Sequence, residues 1–154
     1  MIFHNAHLHI TERAEMAPHA LGNLEGWTDF SKKAGTGDLL AAGRNFGAGS
    51  SRQQAVDCFL ALGIRLIAAP SFGAIYFRNA VNSGLPVLNG PGLGESVERG
   101  DIRTGDTVRI DLLTGTGINL SLGKEFALQP MSGVQLDIWK AGGLFAYARG
   151  GGSP

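Results

Sequence analysis

Gly43-Arg44-Asn45-Phe46-Gly47-Ala48-Gly49-Ser50-Ser51-Arg52 separates two apolar stretches of different period. Before it, Asp38 to Ala42 reads as a short buried strand. After it, Ala55, Val56, Phe59, Leu60 and Leu62 make an apolar stripe at helical spacing, and Gly63 stops the run, which predicts a helix over 51–62. A strand, a glycine turn and an amphipathic helix in that order start an α/β unit. The unit continues. Ile64 to Ala69 is a second buried strand ended by Pro70, Ser71 caps a second helix reaching Ser83, and Leu85-Pro86-Val87-Leu88 is a third strand. Parallel pairing follows from these crossovers.

The glycine turn is also where chemistry is expected. N–H groups at a helix start lack intrahelical partners, and the helix dipole favours an anion there. Gly47 and Gly49 let a ligand approach the backbone. Arg52 can grip a carboxylate through two parallel hydrogen bonds, and Ser50 and Ser51 add hydroxyls. A small carboxylate is the natural guest. The same residues also read as a plain strand-to-helix turn with a serine N-cap. A nucleotide is a poorer guest, because no Lys precedes the serines and Arg52 stands where the dinucleotide fingerprint needs a glycine.

The last third changes character. Gly105 to Leu113 alternates and reads as a strand, 116–121 and 124–128 follow as strands between glycine turns, and Gly133 to Ala141 is a helix stopped by Gly142-Gly143. These strands suggest an antiparallel, barrel-like set. Residues 2–10 alternate in part and predict a strand, and 11–37 reads as a long loop with one helical turn. The expectation is one α/β domain over 1–149, a three-layer β/β/α arrangement with a mixed, barrel-like sheet, followed by a flexible glycine-rich tail at 150–154.

Charge removes several classes of function. The 13 basic and 13 acidic residues balance to zero with no dense basic run, so neither nucleic acid nor an anionic membrane finds an electrostatic footprint. The apolar runs are too short to cross a bilayer, and the first residues do not read as a signal peptide, so a cytoplasmic location is expected. Cys58 is the single cysteine and falls on the apolar side of its helix; it cannot hold an iron–sulfur cluster alone. His7 and His9 share one face of the expected strand with His4 opposite, too few ligands for zinc, so no metal site is expected.

Taken together, Gly43-x-Asn45-Phe46-Gly47-x-Gly49-Ser50-Ser51-Arg52, Ala69-Pro70-Ser71-Phe72-x-x-Ile75-Tyr76-Phe77-Arg78-Asn79-Ala80-Val81-Asn82-Ser83-Gly84-Leu85-Pro86, Gly105-Asp106-x-Val108 and Ala141-Gly142-Gly143-Leu144 resemble, in order, the small subunit of 3-isopropylmalate dehydratase, the swivel domain of the aconitase superfamily. The resemblance implies the swivelling β/β/α fold and a role as the small subunit of a heteromeric hydro-lyase, inactive alone. Such an enzyme isomerises a hydroxy-polycarboxylic acid, of 3-isopropylmalate or homoaconitate type, by dehydration and rehydration in leucine or related amino-acid biosynthesis. It implies a separate large subunit carrying a [4Fe–4S] cluster, one iron of which binds the substrate's hydroxyl and a carboxylate. It implies Ser50 as the base, with Arg52 catalytic beside it, and Gly49, Ser51 and Arg52 binding substrate. It also places a specificity loop near His19 to Trp27, which makes His19 a further substrate contact.

Three departures stand out. The family continues Arg-Glu-His-Ala where this chain has Arg52-Gln53-Gln54-Ala55. The acidic pair of the family's N-terminal block is absent around His9-Ile10-Thr11-Glu12, and residues 19–27 resemble no placed specificity loop. The alternative reading is therefore a catalytically degenerate swivel-fold module that binds a partner or a carboxylate.

Overall fold

The protein is described by a computed structural model covering residues 2–49 and 52–151. In chain order its regular elements are α1 (Arg13–Met16), α2 (Phe30–Lys33), β1 (Leu39–Ala41), α3 (Gln54–Leu62), β2 (Leu66–Ala69), α4 (Ala74–Asn82), β3 (Val87–Asn89), α5 (Leu93–Glu98), β4 (Val108–Ile110), β5 (Thr116–Asn119), β6 (Lys124–Ala127), α6 (Gly133–Ala141) and α7 (Leu144–Ala146). Strands β1, β2 and β3 pair in parallel in that order, with Leu40 opposite Ile67 and Ala68 opposite Leu88. Strands β4, β5 and β6 form an antiparallel meander. The parallel strands, the antiparallel strands and the helices at 54–62, 74–82 and 133–141 all fall where the sequence puts them.

Alternation within the parallel sheet makes the layers. Ile67 and Val87 face a core shared with Val56, Phe59, Tyr76 and Ala80 of α3 and α4. Their neighbours Leu66, Ala68 and Leu88 face the other way, onto Leu93, Leu128 and Leu136, with Ile110 and Phe126 of the meander packed alongside. Every residue of β2 is buried, as a parallel strand covered on both faces requires. Helices, parallel sheet and antiparallel sheet are thus three layers. The two sheets are joined where Gln129, just beyond β6, donates to the carbonyl of Asn89, the last residue of β3.

Two expectations fail near the N-terminus and at the second helix. Residues 2–10 form no strand. Asn5–His7 is a single 3-10 turn, His4 Nδ1 accepts the Ala6 N–H at 3.2 Å, and His7 and Leu8 donate to the carbonyls of His4 and Asn5. The backbone bonds a strand would offer a neighbour are satisfied locally instead. Ser71 does not cap α4 either: the cap is Gly73, and Ser71 bonds Asn45. The segment 11–37 is less irregular than expected, with α1, α2 and a 3-10 turn at Ala17–His19. Helix α5 was hidden by its glycines.

Gly63 ends α3 in the left-handed region at φ 81°, as its position predicts. Cys58 is fully buried on α3, and burial pushes its thiol up to about 12. At pH 8 such a thiol is thiolate to about one part in ten thousand. Ellman's reagent should therefore find essentially no thiol in the native subunit and one equivalent after denaturation; prompt native labelling would contradict this packing.

Candidate active site

The glycine turn is stapled to the chain that follows β2. Beyond β1, Ala42 continues the ladder by donating to Ala68. The chain then turns at Asn45, which takes the left-handed conformation (φ 56°) that Asn tolerates better than most residues. Its N–H donates to Ser71 Oγ at 2.9 Å, and the Ser71 hydroxyl donates back to Asn45 Oδ1 at 3.1 Å. Phe46 donates to the Ser71 carbonyl, and Gly73 donates to the Phe46 carbonyl. Phe46 then sits edge-on to Phe72 and Tyr76 and tilted against Phe59.

Gly47 is fixed by packing. Its φ is 77°, and a Cβ built there would lie 2.2 Å from Tyr76 Cγ. Tyr76 is buried, donates its hydroxyl to the Ala55 carbonyl at 3.2 Å, and burial holds its phenol well above the usual range. It cannot retreat. Gly49 differs, because among the described residues a Cβ there would meet nothing within 4 Å. The sequence assigns both glycines to ligand approach; the structure gives Gly47 to Tyr76 and leaves Gly49 open.

Helix α3 starts at Gln54 with Gln53 before it, and the serines read as its cap lie outside the described residues. Gln53 also accounts for one departure from the family pattern. Its Nε2 donates to Ser83 Oγ at 2.7 Å and to Asp57 Oδ1 at 3.3 Å, tying the start of α3 to the end of α4. A glutamate could not donate to Asp57, and Asp57 already carries an ion pair with Arg13 at 2.9 Å. The neutral amide suits this corner.

Residues 43–49 line a cleft of about 310 Å³ whose other wall is Ile2, Leu21 and Leu24. Leu21 is held at φ 56°, and its N–H donates to the Ile2 carbonyl at 2.8 Å. Gly49 and Arg44 belong to this cleft. Arg52 Nη1 donates to Asn5 Oδ1. Ser50 and Ser51, the expected base and its neighbour, lie outside the described residues. His19 lines a second cleft of about 290 Å³ with His4, His7 and Thr28. It stacks on His7 at 3.8 Å between ring centroids, so His7 packs against this loop rather than on the strand face expected for it and His9. Partial burial, then the neighbouring rings of His19, His4 and His9, hold His7 below the usual histidine range. Sequence reasoning missed Asn5, Ile2, Leu21 and Leu24. For the two leucines a signal existed, since both fall inside the loop that the resemblance points to.

The Aconitase C-terminal domain family matches residues 13–91. The 3-isopropylmalate dehydratase small subunit of Caldicellulosiruptor saccharolyticus is 40% identical over 94% of this chain and 79% of its own length. That of Pyrobaculum calidifontis is 41% identical over 90% of this chain and 81% of its own length. The chain belongs to the 3-isopropylmalate dehydratase small-subunit family. A solved structure of 3-isopropylmalate dehydratase from Methanocaldococcus jannaschii superposes with a TM-score of 0.85 at 34% identity, covering 97% of this chain and 84% of that one. The three layers are therefore those of the aconitase C-terminal domain, and membership makes the chain a hydro-lyase subunit. Among the described residues no helix is long and apolar enough to cross a membrane.

Proposed function

We propose that this chain is the small subunit of a two-subunit 3-isopropylmalate dehydratase, in which it supplies the base and the carboxylate grip. One arrangement carries the choice of substrate. The cleft that ends at Gly49 sets an apolar wall of Ile2, Leu21 and Leu24 opposite the polar glycine turn and Arg44. A branched alkyl substituent fits that wall, and burying its three carbons contributes about 2 kcal/mol. A third carboxylate there would lose hydration against leucine without an apolar reward. This favours 3-isopropylmalate over homoaconitate.

Within the proposal, Arg52 pairs with a substrate carboxylate and Ser50 removes the proton alpha to a carboxylate. Ser51 contributes its N–H and hydroxyl, Gly49 leaves room for the acid against the backbone, and His19 contacts it from the neighbouring cleft. A serine alkoxide needs donors and a cation beside it, which a helix start and an arginine provide. The residues of this chain do not fit an iron–sulfur cluster. Cys58 is buried with its thiol protonated, and among the described residues no group of three or more His, Cys, Asp or Glu gathers. The [4Fe–4S] cluster is placed on the large subunit, where it would supply the Lewis acid.

The test is anaerobic reconstitution with the large subunit. Formation of the unsaturated acid is followed by ultraviolet absorbance across 3-isopropylmalate, citramalate and homoaconitate-type acids. Turnover should require both chains, and kcat/KM should be highest for 3-isopropylmalate by about tenfold or more. An intact, cluster-loaded complex that turns over none of these acids would sink the proposal.

A further inference from the structure

We infer that Asn5 is a positioning residue for Arg52, aiming its guanidinium from the N-terminal 3-10 turn. This rests on the reading of Arg52 as the carboxylate grip. Asn5 Oδ1 accepts from Arg52 Nη1 across 47 positions of sequence. A guanidinium is a planar fork, so an acceptor fixed at one corner sets the plane in which the fork meets a carboxylate.

The mount is rigid enough for that purpose. Phe3 is 2% exposed and anchors the segment in the main core. The Ile2 carbonyl accepts from Leu21 at 2.8 Å. His4 caps the turn at the Ala6 N–H, and His7 stacks on His19. Asn5 itself is exposed and serves no part of the core. The turn is thus held on both sides of Asn5, and the amide at its first position meets the arginine. Its neutrality matters as much as its place. A carboxylate in the same position would also accept from Arg52, and would cancel the charge that the substrate needs.

That difference makes the test. Asn5→Asp keeps size and acceptor, so a merely structural Asn5 would tolerate it and suffer more from Asn5→Ala. In the reconstituted two-subunit enzyme with 3-isopropylmalate, Asn5→Asp should raise KM roughly tenfold or more, the loss expected when one charge-assisted pair is neutralised. kcat should fall as well, because the same guanidinium is the cation beside the Ser50 alkoxide. Asn5→Ala should raise KM less. Arg52→Ala should raise KM by itself, and adding Asn5→Asp to it should change nothing further. Wild-type KM in Asn5→Asp, or the same rise with Arg52 present and absent, overturns the inference. If Arg52→Ala raises KM while Asn5→Asp does not, only this inference falls. If Arg52→Ala leaves KM unchanged, the carboxylate-grip reading falls with it.

Discussion

Ser50→Ala should lower kcat of the reconstituted enzyme by about a thousandfold, within the range of a positioned general base. Dehydration of a hydroxy acid removes a proton alpha to a carboxylate, and that proton is weakly acidic. The loss of water at the neighbouring carbon can be assisted by a Lewis acid on the large subunit, but the proton needs its own acceptor. Alanine deletes one oxygen and adds no bulk, so KM should move little. The measurement is initial rate against 3-isopropylmalate under anaerobic conditions, with cluster content of the large subunit matched between variants. A variant that keeps more than a tenth of the wild-type rate would show that Ser50 is not the base.

Gly47→Ala should cost about 3 kcal/mol or more of stability, a large value for one methyl group. Two penalties add. The left-handed φ of 77° is unfavourable for any residue with a Cβ, by about 1 kcal/mol. The new methyl would also fall 2.2 Å from Tyr76 Cγ, in a buried ring held by Phe46, by Phe72 and by its bond to Ala55. Overpacking at a site that cannot relax adds about 2 kcal/mol. Thermal unfolding should read a fall in Tm of about 10 °C for a chain of this size. Gly49→Ala is the control, since among the described residues a Cβ there meets nothing within 4 Å; its Tm should stay within about 2 °C of wild type. Equal Tm values for the two variants would contradict the packing described for the turn.

Much of the fold was legible because its signals are local. Gly63 and Gly142 stop helices in the left-handed conformation, and Ser132 with Gln135 makes the capping box that starts α6. The buried run from Ile64 to Ala69 reads as a strand because β2 is covered on both faces. Residues 2–10 misled because alternation over a few residues does not ensure a neighbouring strand. Here the histidine cap and 3-10 bonds satisfied the backbone first. Ser71 misled for a related reason: its hydroxyl was as able to bond a distant Asn45 as the start of α4, and only the packing of the glycine turn decided which.

By itself the sequence determined the order of the central strands and helices, the parallel-then-antiparallel division and the burial of Cys58. Each of these follows from period, residue type and short spacing, which the chain carries locally. The tertiary structure alone decided that Gly47 serves Tyr76 while Gly49 faces the cleft, that Leu21 and Leu24 wall that cleft, that Gln53 braces two helices, and that Asn5 meets Arg52. Those pairings join residues 19 to 47 positions apart. Which of many chemically equivalent partners meet is set by how the layers close, because a side chain's neighbours across such a distance depend on every turn between them.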